Sequence, residues 1–391
     1  MTANEAIIRS NEIKWGGKFR PYFHLYKHSA KFHANIAPKP LTVAQVAKAY
    51  NYPTTYDGTG QTIGLVELGG GYNVSDLEAF LPKLSKRTSW FGVDGATNSP
   101  NISDADGEVM LDCEVAGWMA PGAKILVGFA QNTEQSFINV INELVARKAT
   151  TISISWGGEE DTWTAAGLAG INKACEDAAE AGIKVCAAAG DNGFSDGSVD
   201  DSARVDFPGS SPFVICCGGT ALYVNADGSI NSEFVWNDLS AGGGSTGGGV
   251  SQKFKKRSFQ NGCEYLKING VLTPTEWRLV PDVAMNAAPS TGYQIWVDGT
   301  QEVIGGTSAV SPAFAAFLAL AQQANGGPIK GGVLPLMYAH KNTPTEELVF
   351  HENIPGSNGL YQSVPHKYDC TSGLGSFDGM ALLKRLTGKV S

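Results

Sequence analysis

Five short, nearly continuous apolar runs, separated by helical stretches, constrain this chain more than any other feature. Thr62–Leu68, Ala123–Phe129, Thr151–Trp156, Ile183–Ala188 and Phe213–Cys217 have the character of parallel strands covered on both faces. Between and around them, Glu108–Ala120, Glu134–Ala146 and Thr164–Ala181 read as helices. A further helix is expected over Ser308–Ala324, with Pro312 tolerated near its first turn. Strands that alternate with helices predict an α/β fold built on a parallel sheet flanked by helices. With 42% hydrophobic residues in 391 the chain can bury a large core, and no internal repeat divides it. One domain over roughly 39–391 is expected.

Residues 1–38 read as a basic N-terminal appendage and a possible short prosegment. Residues 1–40 carry Arg9, Lys14, Lys18, Arg20, Lys27, Lys31 and Lys39 against only Glu5 and Glu12, in a chain whose net charge is -9. The segment is aromatic and ends in the proline cluster APKP. Two readings stand side by side. One is a tail without a role. The other is a cleavable cover drawn to an acidic body by charge. Acid would charge His24, His28 and His33, and release with self-cleavage is then expected near Lys31–Pro38.

Other features narrow the partners. No basic patch points to nucleic acid, no apolar run reaches the ~18 residues of a membrane span, and MTANEAIIRS lacks the apolar centre of a secretory signal. Cys113, Cys175, Cys186, Cys216, Cys217, Cys263 and Cys370 form no CxxC pair, so zinc is not expected and buried thiols are. A monomer is expected.

The chemistry gathers at Ile304-Gly-Gly-Thr-Ser308-Ala-Val-Ser-Pro312, where a glycine-rich turn enters a helix. Such a serine can be a helix N-cap. It can also be a nucleophile, since glycines admit a substrate backbone and a helix start favours an oxyanion. A nucleophilic serine needs a base, normally histidine. The six histidines are His24, His28, His33, His340, His351 and His366, and none falls between residues 34 and 339. A carboxylate base is therefore expected. Glu108 and Asp112, at i and i+4, share one helix face that continues through Val115, Ala116 and Met119. Two carboxylates on a buried stripe repel, and one should hold its proton far above its usual pKa. A solvated helix face is the plainer alternative. Asp191 in AAAGDNG follows a strand, at the edge of the sheet where ligands bind. It can form an Asx turn or, protonated in acid, donate to a developing oxyanion.

The motifs GEVMLDCEVAGWMAPGAKI, SISWGG, AAAGDNG, STGGGVS and GGTSAVSPAFAA together resemble the sedolisin (serine-carboxyl peptidase) family over residues 38–391. The resemblance implies a subtilisin-like fold and hydrolysis of peptide bonds in acid through an acyl-enzyme. By position it makes Ser308 the nucleophile, Glu108 the base, Asp112 its support and Asp191 part of the oxyanion hole. It also makes Glu67 and Trp156 members of the network around Glu108; a turn residue and a core aromatic are their plainer readings. Gly242–Gly249 matches a loop near the cleft. A structural calcium site is implied at Glu352, Asn353, Pro365, Lys367 and Asp369. There the chain departs from the family pattern, with glutamate for aspartate at 352 and Pro365 and Lys367 where glycines usually stand. Polypeptide substrates and an extracellular or acidic compartment are implied as well, with either internal cleavage or release of tripeptides.

Overall fold

The computed structural model describes residues 8–9, 18–25, 40–101, 105–241, 243–339 and 349–389. Its central sheet takes eight strands: β1 (Thr62–Glu67), β2 (Thr88–Gly92), β3 (Lys124–Phe129), β4 (Thr151–Ile154), β5 (Lys184–Ala188), β6 (Ile215–Val224), β7 (Ile230–Val235) and β8 (Val283–Asn286). They lie in the order β7-β6-β5-β4-β1-β3-β2, with β8 also paired to β6. Every pairing is parallel except β6 with β7. The five expected runs form β1, β3, β4, β5 and β6. The run at Thr151–Trp156 divides, because the ladder ends at Ile154 and Trp156–Glu159 starts a separate strand with other partners.

Helices cover both faces of the sheet. α1 (Asp106–Met119) and α4 (Val310–Asn325) pack together on one face; α2 (Glu134–Ala146) and α3 (Ala165–Glu180) pack together on the other. Strand β1 shows the reason in its own residues. Ile63 and Leu65 enter the core shared with α1 and α4, while Val66 enters the core with Phe137, Ile141 and Ile171, since successive strand side chains point to opposite faces. Thr133 and Thr164 begin α2 and α3 as N-caps, accepting from Ser136 N–H and Gly167 N–H. Among the described residues no helix is long and apolar enough to cross a membrane. All seven cysteines are unpaired and buried, as expected.

α1 differs from its sequence reading. A single buried stripe through Glu108, Asp112, Val115, Ala116 and Met119 is expected. In the structure every residue of α1 except Trp118 is buried, including Asp106 and Glu114. The helix is enclosed by the sheet, by α4 and by the strand Tyr293–Val297, so it has no solvated face to alternate with. Its start is tied to the end of β1 through Asp106, whose carboxylate accepts from Gly71 N–H at 2.7 Å and Asn101 N–H at 2.6 Å. Gly70 makes this approach possible. Its φ is +69°, and a Cβ there would meet the Ala105 carbonyl carbon at 2.6 Å. Glu67 and Glu108 are thereby brought to the same place.

A second buried cluster holds β6 to β8. Arg278 donates to both oxygens of Asp282, at 2.7 and 2.5 Å, and Asp282 also accepts from Cys216 N–H and Tyr338 OH. Arg278 and Asp282 are wholly buried. Removing one member of such a pair strands the other without its counter-charge. Arg278→Leu is expected to lower the unfolding free energy by about 3–5 kcal/mol, read as an earlier urea midpoint. A midpoint equal to wild type would contradict this role.

Candidate active site

Ser308 sits in a short 3-10 turn, Thr307–Ala309, that leads directly into α4. The turn is pinned by Asp191, which lies just past the end of β5. Asp191 Oδ1 accepts from Thr307 N–H at 2.8 Å and from Thr307 Oγ1 at 2.7 Å. The glycine-rich loop braces Asp191 from behind, with Ser245 N–H on the Asp191 carbonyl and Gly247 N–H on the Gly190 carbonyl. Gly306 precedes the serine with φ +121°, and a Cβ there would fall 2.7 Å from Asp191 Oδ2. Only glycine leaves this space open.

Behind Ser308 lie three carboxyl groups, all fully buried: Glu67, Glu108 and Asp112. Burial, then repulsion from Asp112 and Glu67, pushes Glu108 well above the usual carboxyl range. Burial and the Asp112 charge do the same to Glu67, opposed by Trp156 Nε1, which donates to its Oε2 at 3.0 Å. Burial raises Asp112, opposed by Ser155 Oγ, which donates to both its oxygens at 2.9 and 3.1 Å. The nearby Ser308 hydroxyl opposes the shift of Glu108. Even so, among the described residues no donor meets hydrogen-bond geometry at either Glu108 oxygen. Ser308 Oγ instead accepts from Tyr22 N–H at 3.0 Å and makes a long contact, 3.4 Å, to the Ser155 carbonyl. Catalytic hydrogen bonds are often long before substrate is engaged for reaction.

The chain's own N-terminal segment fills the cleft above the serine. Arg20–Pro21 pairs antiparallel with Trp156–Gly157 on one wall, and His24–Leu25 pairs with Ile304–Gly305 on the other. Between these two pairings the peptide passes over Ser308. Tyr22 N–H lies 3.2 Å from the Ser155 carbonyl, and the Tyr22 carbonyl accepts from Ser308 N–H at 3.0 Å. Phe19, Tyr22, Phe23 and His24 are at most 2% exposed, so this stretch is packed into the body. The expected cleavage region Lys31–Pro38 lies outside the described residues. The bond over the nucleophile is Tyr22–Phe23.

All six residues singled out around the catalytic centre, Ser308, Glu108, Asp112, Asp191, Glu67 and Trp156, converge here. The sequence reading missed Ser155, whose hydroxyl holds Asp112 and whose carbonyl faces Tyr22, and Thr307, which anchors Asp191. Both lie inside motifs already picked out, SISWGG and GGTSA, but a serine or threonine there gives no sign of its partner. The C-terminal stretches lie elsewhere and meet at one loop. His366 N–H donates to the Glu352 carbonyl, and Val364 N–H to Asp369 Oδ2.

A parallel sheet flanked by helices, with a serine at a helix start backed by buried carboxyl groups, defines a serine-type peptidase of the subtilase class. The subtilase family model matches residues 95–340. Kumamolisin of Bacillus sp. (strain MN-32) is 45% identical over 392 residues, covering 95% of this chain and 69% of that protein. Sedolisin of Pseudomonas sp. (strain 101) is 30% identical over 374 residues, covering 86% of this chain and 61% of that protein. The solved structure of Pseudomonas sedolisin, a serine-carboxyl proteinase complexed with two molecules of pseudo-iodotyrostatin, superposes with a TM-score of 0.77 at 26% identity, over 91% of this chain and 100% of that one. The chain belongs to the sedolisin family of serine-carboxyl peptidases. It spans 69% and 61% of the length of the two curated relatives.

The raised carboxyl groups make a prediction for stability. A group whose pKa is higher folded than unfolded stabilises fully below its unfolded value, about 4 for a carboxyl group, and loses that contribution as pH rises through the folded value. With Glu67, Glu108 and Asp112 all raised, the melting temperature of Ser308→Ala is expected to fall by several degrees from pH 4 to pH 7. Adding Glu67→Gln should flatten that slope. A melting temperature that climbs over the same range would refute the assignment of protons to these groups.

Proposed function

We propose that this chain is an acid endopeptidase that hydrolyses polypeptides through an acyl-enzyme on Ser308, with Glu108 as general base. The observation that carries the reading is the Tyr22–Phe23 peptide laid across the serine, its carbonyl on Ser308 N–H. In the reaction Ser308 Oγ attacks the substrate carbonyl carbon and its proton passes to Glu108. The oxyanion takes hydrogen bonds from Ser308 N–H and from protonated Asp191. Glu108 then returns the proton to the leaving amine, and the C–N bond breaks. Water, deprotonated by Glu108, attacks the acyl carbon; the ester C–O bond breaks and Glu108 returns the proton to Ser308 Oγ. Asp112 and Glu67 are close enough to Glu108 that the three groups titrate together. Molecules in which Glu108 is the ionised member are the competent ones. An aspartic acid donates only while protonated, which sets the reaction in acidic surroundings, outside the cell or in an acidic compartment.

Internal cleavage is favoured over release of tripeptides. Upstream of Tyr22 the segment continues past three residues, with Phe19 and Lys18 still seated on the body: Phe19 N–H donates to Asn132 and Lys18 pairs with Glu134. Residues 18–25 act as an occupant of the cleft that the enzyme itself removes.

Ser308→Ala is expected to lose hydrolysis of unfolded protein by at least about a thousandfold at every pH from 3 to 8, with unchanged circular dichroism. Wild type should be most active below pH 7. Brought to pH 4, it should shorten to a chain that begins at Phe23, whereas Ser308→Ala stays intact by mass spectrometry. A wild-type optimum at pH 7 or above, or equal shortening of both chains, would overturn the mechanism.

A calcium ion held by the C-terminal loops is the second part of the proposal. Among the described residues no group of three or more Asp, Glu, His or Cys side chains is placed to hold a metal, so the site would rely on backbone oxygens. Asp369 Oδ1 is already taken by the amides and hydroxyls of Thr371 and Ser372, while Oδ2 faces Val364 N–H and a longer contact from Ser372 Oγ. Oδ2, with Glu352 and the carbonyls of Asn353, Pro365 and Lys367, would supply all-oxygen donors of the kind calcium accepts. Lys367 is exposed, which leaves its amine free to stay in solvent. A chelator is expected to lower the melting temperature of Ser308→Ala by several degrees, and added calcium to restore it. An unchanged melting temperature would remove the ion from the proposal.

A further inference from the structure

In an extended strand, side chains two residues apart share a face. Along Phe19–Leu25 this alternation separates two chemistries. Phe19 stacks on Trp163 at 3.9 Å, and the Phe23 ring lies against Gly107 in the core. On the other face stand Arg20, Tyr22 and His24, and each meets a carboxyl group. Arg20 Nη2 donates to Asp196 Oδ1 at 2.9 Å, Tyr22 OH donates to Asp206 Oδ2, and His24 Nε2 lies 3.2 Å from Asp191 Oδ2.

Asp191 has its place beside Ser308. Asp196 and Asp206 have no such duty, yet they are 1% and 2% exposed. Burying two neighbouring carboxyl groups is costly unless something pays for them with charge or hydrogen bonds. The two carboxyl groups also hydrogen-bond to each other, Asp206 donating and so stabilising the ionised form of Asp196. Burial pushes Asp196 up to about 6 even with Arg20 beside it, and burial followed by the Asp196 charge raises Asp206. Glu159 adds another negative group nearby. The other groups that answer them belong to the bound segment: the Arg20 guanidinium and the Tyr22 hydroxyl. These two side chains also touch one another, with the Arg20 guanidinium carbon 5.7 Å from the Tyr22 ring centroid.

We infer that Asp196 and Asp206 are specificity-determining residues that select substrates with arginine two residues before the one bearing the attacked carbonyl, and with a side-chain donor such as tyrosine on that residue itself. The inference rests on the peptidase reading above. Because the two positions share one pair of carboxyl groups and contact each other, their preferences are coupled. Once Arg20 is lost, the Asp196 carboxyl holds its proton more firmly beside Asp206, and the value of the tyrosine hydroxyl changes with it.

The test uses four peptides spanning residues 18–27: the chain's own sequence, Arg20→Leu, Tyr22→Phe and the double change. Pairs compete in one reaction at pH 6, where Asp196 begins to ionise beside Arg20, with the full chain. Any fraction of clefts still filled by residues 18–25 then cancels from each ratio of kcat/KM. The Arg20→Leu peptide is expected to be cut at least about 10-fold more slowly than the parent. The double change should cost less than the product of the two single losses. In Asp196→Asn the ratio of parent to Arg20→Leu should fall towards one. Parent and Arg20→Leu peptides cut within about twofold of each other by wild type would overturn the inference, and that result needs no enzyme variant to fold. If unfolded protein is hydrolysed while no peptide is preferred, only this inference fails. If wild type hydrolyses nothing that Ser308→Ala does not, the peptidase reading fails with it.

Discussion

Glu67, Glu108 and Asp112 lie wholly inside the protein, near enough to feel one another's charge, and the surrounding structure follows from what that costs. Three ionised carboxylates in such a place would be prohibitively unstable, so protons stay on them. A set of acids that keeps its protons can act as a proton relay for a serine, which is the part histidine plays in most serine peptidases. The helix α1 that carries two of them must be buried all round, and its first turn must reach the end of β1 for the third to join. Asp106 and the space left by Gly70 meet that requirement. The same burial that prepares the chemistry also ties the fold to acidic conditions.

The cleft recognises its occupant first by backbone. Residues 20–25 add a short strand to each wall in turn, a mode of peptide binding in which main-chain hydrogen bonds hold any extended sequence and side-chain pockets choose among them. The break after Ile154 makes this possible. By leaving the sheet at Ser155, the chain frees Trp156–Glu159 to serve as a wall, and it turns the Ser155 carbonyl towards Tyr22 and the Ser155 hydroxyl towards Asp112. One residue thus links substrate backbone and proton relay.

Much of this was legible in the residues. The five apolar runs found their strands because strands buried on both faces need no partner-specific pattern to be recognised. Glu108, Asp112, Asp191 and Ser308 could be picked out because a serine after glycines, with no histidine in the long middle of the chain, leaves few other bases. α1 was harder. A helix enclosed on every side carries no contrast between faces, so the stripe expected through Met119 understated its burial and hid Glu114.

What the sequence by itself determined is therefore the class of fold and the identity of the chemical groups, since hydrophobic period and residue type act locally along the chain. What only the tertiary structure decided is which groups meet. Arg20 and Asp196 are 176 residues apart, Tyr22 and Ser308 286, and no local pattern encodes a contact across such a separation. The basic, aromatic start of the chain looked like an appendage because its apolar residues alternate with polar ones over too short a stretch to declare a strand. Packed between two walls that exist only after the domain has folded, the same alternation places Phe19 and Phe23 in apolar surroundings and Arg20, Tyr22 and His24 opposite three carboxyl groups. Their meaning came from the surface they met.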